Sequence, residues 1–471
     1  MKPQPCNLLF AFRRTAGQTA TRRRTCAAAL ASCLAAVSLF GQSVPVFAAG
    51  TGAASSSAAP SASSAAPSAS ASPVQSGVPP YVIEVDNAVV PFDSAPVNRN
   101  DRLLVPFRAI AESLGIAVEW VKETRTVRAQ GEGKTVLLTI DNPTATVNGA
   151  PVPLDAAPVI ENNRTLIPLR FFAETFGCDV WYDAPVRTAE VRSAPKSMEI
   201  HAWYAMDANW ASLFGAAYPV VSTGGTDAVD TVSFGWHELT ETGALTTTGT
   251  QGWKKPSGWE QALAGAAAMR LGTEMTVWMS DKTGGLTRLM ADTTAQDAAA
   301  AAIAAAAADY GGVNLDLEGL GMTDTGAALV AVRNTYTAFV ARVAERLHSQ
   351  GKTLTLTLHP LNGAYRGYDY AAVGTLADRI AIMAYDYGVR PEPVAKVADA
   401  IDLALAAVPA EKLLLGISLA SESAESLVTK LGIAKRKGVA GVALWRLGLM
   451  HADDWAALRA ATDPRKQASA P

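Results

Sequence analysis

The chain has 471 residues, 49% of them hydrophobic, which excludes a disordered protein and gives enough length for two or three domains, each with its own core. Its 40 basic and 43 acidic residues leave a formal net charge of −3, with none of the basic excess that a nucleic-acid partner would require.

Residues 1–49 have the layout of a secretory signal peptide. Lys2, Arg13, Arg14, Arg22, Arg23 and Arg24 form a basic region without one acid, residues 26–40 are apolar, and Val46 and Ala48 supply the small side chains that precede a cleavage site. Export and an association with a cell wall of the Gram-positive type are the expectation, with an uncleaved segment acting as an anchor as the alternative. Leu30-Ala31-Ser32-Cys33 has the look of a lipobox but lies in the middle of the apolar run, and Arg22-Arg23 lacks the flanks of a twin-arginine signal. No other stretch is long and apolar enough to span a bilayer. Removing the segment takes six basic residues and no acids, deepening the net charge from −3 to −9, which argues further against nucleic acid. It also leaves Cys178 as the one cysteine, so neither an internal disulfide nor a cysteine metal site is expected.

Residues 50–80 are Ser, Ala and Pro with almost no large apolar side chain, a composition that cannot bury a core and reads as a flexible tether. Residues 81–194 then hold an internal repeat. The run NDRLLVPFRAIAESLGIAVEW (100–120) matches NNRTLIPLRFFAETFGCDVWY (162–182), with Pro106 on Pro168, Arg108 on Arg170, Gly115 on Gly177 and Arg125-Thr126 on Arg187-Thr188 at one spacing. Each copy reads as a strand, a helix running from the Pro-x-Arg step to the glycine, and a β-hairpin. These elements, present twice, resemble the copper amine oxidase N-terminal-like stalk domain of exported proteins. The segment contains no histidine and one cysteine, so no copper site is expected despite that name; a spacer or wall-associated module is. Cys178 reads as core.

From 197 to 463 strand and helix patterns alternate, before a short tail at 464–471. Strands are predicted at 199–206, 229–236, 275–280, 312–318, 353–359, 379–386, 413–419 and 441–448, with helical stretches at 259–270, 293–310, 327–348 and 394–408. Eight such units in this length predict a (β/α)8 TIM barrel, the fold class being α/β with a small α+β repeat domain in front; a doubly wound open sheet is the alternative. The alanine run at 298–308 reads as a helix packed closely against the strands.

Within strand four, GVNLDLE, alternation puts Asn314, Asp316 and Glu318 on one face and Val313, Leu315 and Leu317 on the other. Paired carboxylates in an otherwise apolar strand suit acid/base chemistry, because burial and mutual repulsion let one keep its proton near neutral pH; a structural ion pair at a strand end is the other reading. Barrel sites form at the C-terminal ends of the strands. Those ends supply Met383, Tyr385 and Asp386 from strand six, Trp445 from strand eight, and Trp203, Tyr204, Trp236 and His359 from strands one, two and five. Acids, a phenol and aromatic planes at one mouth suit a carbohydrate. His359, followed by Pro360, reads as a residue of loop entry and Trp278 as core.

GVNLDLE resembles the DGxDxDxE strand of glycoside hydrolase family 18, MAYDY its M-x-Y-D strand and GVALWRLG its terminal strand, in order over the C-terminal domain. Asn314 in place of the middle Asp, with WHELTETGAL after strand two, resembles the spore-germination and cortex-lytic branch. Membership implies substrate-assisted, retaining hydrolysis at N-acetylglucosamine, with Glu318 as acid, Asp316 orienting the acetamido group, Tyr385 bonding its oxygen and Trp445 beneath the sugar. Met383, Asp386, Asn314 and Trp203 are expected at the substrate. Gly311 replaces the first Asp of the motif, and the loss of that carboxylate together with Asn314 bears on how charge on Asp316 is managed. No cofactor is expected. The implied substrate is peptidoglycan, or a chitin-like glycan; the alternative from another class is a wall lectin without catalysis, against which the presence of Glu318 argues.

Overall fold

The computed structural model describes residues 80–205, 226–249 and 254–464. The expected signal segment, nearly all of the tether, the last residue of predicted strand one and nearly all of the C-terminal tail lie outside the described residues. No described helix is long and apolar enough to cross a membrane.

The two repeats meet about an internal twofold. Strand Arg102–Pro106 pairs antiparallel with Arg164–Pro168, and in that register Val105 faces Ile167, its own counterpart in the other copy. Each strand runs through its proline straight into a helix, Phe107–Leu114 or Leu169–Thr175, since proline cannot donate to a ladder but fits a helix start. The first helix stops where Gly115 takes a left-handed conformation. The predicted hairpins follow, Ala117–Val121 with Thr126–Gly131 and Asp179–Asp183 with Thr188–Arg192. The strand Val82–Val85 then joins the second hairpin in parallel, so the start of the segment is sewn to its end. Ile110, Phe172, Leu138 and Ile167 fill the shared core, where Cys178 is also buried.

Eight parallel strands close into the barrel: Lys196–Tyr204, Thr231–Leu239, Gly272–Ser280, Gly312–Glu318, Thr353–Leu358, Arg379–Ile382, Leu413–Ser418 and Gly441–Trp445, the last pairing with the first. This is the predicted TIM barrel rather than an open sheet. Val313, Leu315 and Leu317 pack outward against the helices, in a cluster that also takes Ala299, Ala300 and Ile303 of the alanine-rich helix Thr293–Ala306. Asp292 caps that helix by accepting from Thr294 N at 2.8 Å. Small side chains let it lie close to the strands, as the alanine run implied.

The barrel interior beneath the mouth is polar. Ser233 and Thr355 donate to Glu274 at 2.8 and 2.7 Å, His201 Nε2 lies 2.8 Å from Ser233 Oγ, and Arg379 donates to Glu199 at 2.7 Å. Thr355 and Arg379 lie in register with Asn314, whereas Ser233 and Glu274 lie in register with Gly312, two residues earlier on strand four. Mutual hydrogen bonding is what allows such a layer inside a barrel.

Candidate active site at the mouth of the barrel

Strand four delivers its row as alternation requires. Asn314 is deepest and accepts from Thr357 Oγ1 at 2.9 Å; Asp316 is above it, only 5% exposed; Glu318 reaches the mouth. The neighbouring strand register sets Trp278 opposite Asp316, so its indole shares the inward face and donates to Glu318 Oε1 at 2.8 Å. The other oxygen of Glu318 faces His359 Nε2 at 3.8 Å. Two residues read from the sequence as core and as loop entry therefore flank the carboxyl of Glu318. What places them is register between strands, which neither segment reveals alone.

Electrostatics separates the two acids from ordinary carboxylates. Burial pushes Asp316 well above its usual range, and the charge of Glu318 pushes it further. Burial also raises Glu318; the Trp278 N–H and Lys282 oppose that rise and Asp386 adds to it. Asp316 Oδ1 is buried with no hydrogen-bond partner within the protein, which favours its protonated form or a donor from a bound molecule. Burial lowers His359 to about 4, so its imidazole is neutral near pH 7. Tyr385 is raised well above the ordinary phenol value by burial and by Asp316, Glu318 and Asp386, which keeps its O–H as a donor.

Strand six was expected to run to Asp386 but leaves the ladder after Ile382. The reason is local: Ala384 N bonds Ile382 O at 2.7 Å, Tyr385 N bonds Met383 O at 2.8 Å, and Asp386 has a positive φ of 63°. These tight turns swing Met383, Tyr385 and Asp386 to the mouth. The following loop is anchored from below, where Glu392 accepts from Asp386 N and Tyr387 N at 3.0 and 3.1 Å. Lys430, buried, donates to Glu392 O at 2.8 Å and pairs with buried Glu422 at 3.2 Å.

Together these groups line a cavity of about 450 Å³, walled by Asp316, Glu318, His359, Tyr365, Tyr385 and Tyr387 and closed on one side by Trp445. Residues 269–424 match the family described as Glycosyl hydrolases family 18, and residues 84–191 match the Copper amine oxidase N-terminal domain. The chain carries a family 18 glycosyl hydrolase domain behind a copper amine oxidase N-terminal domain.

Over 120 residues it is 32% identical to YdhD of Bacillus subtilis (strain 168), which is named as a sporulation-specific glycosylase; the match covers 23% of this chain and 27% of that one. It is 29% identical over 99 residues to the cortical fragment-lytic enzyme of the same organism, covering 18% and 23%. The chain thus spans about a quarter of the length of these curated relatives. Among solved structures, a chitinase from Chromobacterium violaceum superposes with a TM-score of 0.47 at 22% identity, covering 56% of this chain and 98% of that one. The spore cortex-lytic enzyme SleL of Bacillus cereus also gives 0.47, at 17% identity, covering 58% and 76%.

In this family 18 barrel, Asp316, Glu318, Met383, Tyr385, Asp386 and Trp445 all border the cavity. Asn314 and Trp203 are below it instead. Trp203 is 1% exposed and meets Trp445 edge to face, ring centres 5.8 Å apart, so it supports the floor rather than forming it. Tyr204 and Trp236 face outward into the helix-packed core. The residues of the copper amine oxidase N-terminal domain do not fit a copper ion: it has no histidine, and its one cysteine is buried with its thiol pushed up to about 12, chiefly by burial. Among the described residues, no cluster of three or more His, Cys, Asp or Glu side chains is placed to hold a metal.

Proposed function

We propose that the protein is an exported glycosidase that cleaves β-1,4 bonds at N-acetylglucosamine in peptidoglycan by substrate-assisted, retaining hydrolysis. The observation that carries this reading is the Asp316 and Glu318 pair, raised by burial on one strand face and opening into a cavity with Tyr385 and Trp445. Glu318 gives its proton to the glycosidic oxygen as the bond to the anomeric carbon breaks, and the substrate's acetamido oxygen forms the replacing bond. Asp316 accepts the acetamido N–H and balances the positive ring that results. Tyr385 donates to the acetamido oxygen, Trp445 packs under the sugar, and Glu318 then takes a proton from the water that opens the ring.

Peptidoglycan is preferred to chitin because one curated relative is named as a sporulation-specific glycosylase and the other as a cortical fragment-lytic enzyme. Export is supported by the basic, apolar and small-residue order of residues 1–49. The test is digestion of peptidoglycan and of chitin oligomers beside a Glu318→Gln protein, which should lose about 10²- to 10⁴-fold in rate. Products from chitin alone would move the substrate; binding without products from the parent would leave a wall lectin.

A further inference from the structure

The copper amine oxidase N-terminal domain holds two surface clefts, of about 470 and 570 Å³, that the internal twofold exchanges. The first takes Arg102 from one repeat and Arg170, Glu174 and Tyr182 from the other; the second takes Arg164 with Arg108, Glu112 and Trp120. A constant offset along the chain relates each residue of one set to its partner in the other, so every cleft is built from both repeats. Arg102 Nε donates to Asp155 at 2.8 Å across the first, and Arg164 Nε donates to Asp93 at 2.6 Å across the second. Pro168 and Pro106 form equivalent parts of the floors.

The charged members are exposed in both clefts. Buried positions repeat because the two copies share a core, and Arg170 also donates to Val180 O and Glu174 at 3.0 Å each; exposed ion pairs add little stability, so packing does not account for all of the charges repeated at both mouths. Tyr182 is 46% exposed, a large ring at the rim beside Tyr81, ring centres 6.5 Å apart, while its counterpart Trp120 is half-buried against the domain core. An aromatic plane beside a guanidinium and a carboxylate matches a sugar ring with hydroxyls and an attached peptide that ends in a carboxylate: the ring stacks, the guanidinium takes the carboxylate, and the acid accepts hydroxyl or amide protons. Two equivalent sites in one domain match a ligand that itself repeats, and linked sites multiply their affinities.

We propose that these paired clefts bind peptidoglycan, a glycan strand whose attached peptides bear carboxylates, and hold the barrel to its substrate; the choice of polymer rests on the substrate proposed for the barrel. The experiment uses the full chain with Glu318→Gln throughout, so that cleavage is suppressed, and measures retention on insoluble peptidoglycan. Trp120→Ala with Tyr182→Ala should weaken retention about tenfold or more, equivalent to 1.4 kcal/mol, and Phe at both positions should restore it. Arg108→Ala with Arg170→Ala should weaken it and flatten its dependence on salt. Retention equal to the parent in both double variants would overturn the proposal. A chain that holds peptidoglycan through the clefts yet shows no hydrolysis with Glu318 intact would instead defeat the barrel reading alone.

Discussion

At the scale of single residues, the carboxyl of Glu318 is tuned by two neighbours from other strands. The Trp278 N–H favours the ionised form, so Trp278→Phe should raise the Glu318 pKa further. An acid that must be protonated then works to higher pH, and the alkaline limb of the kcat/KM profile should move up; a limb that stays or moves down would contradict the assignment. Asp316 predicts a stability effect. Its folded-state value lies above the ordinary 3.8, so the stabilisation of the folded form is complete at low pH and is lost as pH rises towards the raised value. Asp316→Asn should therefore melt higher than the parent at pH 8 and lose that advantage towards pH 3.8, while losing activity. Asp316 and Glu318 were legible in the sequence because alternation within one strand fixes their common face. Trp278 and His359 were not, because their facing depends on which residue of the next strand lies alongside.

At the scale of elements, the barrel order was legible from the alternation of apolar runs and helical stretches, and strand four has the bounds read from its sequence. Strand six does not, since its end is set by close backbone turns and by Glu392, held in turn by a lysine on a helix well downstream. No local pattern encodes that anchor. The helix, Ala424–Lys437, is fixed at its start by a capping box between Ser423 and Ser426 and at its end by left-handed Gly438, so Lys430 is rigidly presented. Lys430→Met would strand Glu422 and remove a donor from Glu392 O, and should cost about 3–5 kcal/mol in denaturant unfolding. The same variant should lower kcat as the loop behind Tyr385 loosens. An unchanged unfolding midpoint would show that the clamp is incidental.

At the scale of the whole molecule, the same helix joins the barrel to the repeat domain. Gly432 faces Asp86 so closely that an added Cβ would come within 2.7 Å of its carboxyl, and Lys435 Nζ reaches Ser193 O and Ala194 O at 3.4 Å each. Asp86, 1% exposed, accepts from Ser193 Oγ at 2.7 Å and lies 3.9 Å from Arg436. Burial lowers both Lys435 and Arg436, and Asp86 opposes that. Asp86→Ala should leave these cations uncompensated and destabilise the junction by about 3–5 kcal/mol, seen by calorimetry as a lower or divided transition. A transition superimposable on the parent's would exclude that role. This junction could not be read from the sequence, in which the repeat and the barrel have separate periodicities and nothing marks the face each turns to the other. Proton donation by Glu318 in cleavage at N-acetylglucosamine, as proposed above, is tested by analysing the products of peptidoglycan and chitin oligomers treated with parent and Glu318→Gln proteins. New reducing N-acetylglucosamine ends, formed first in the retained anomeric configuration, are expected from the parent alone. Equal cleavage by Glu318→Gln, or first products of inverted configuration, would contradict the proposal.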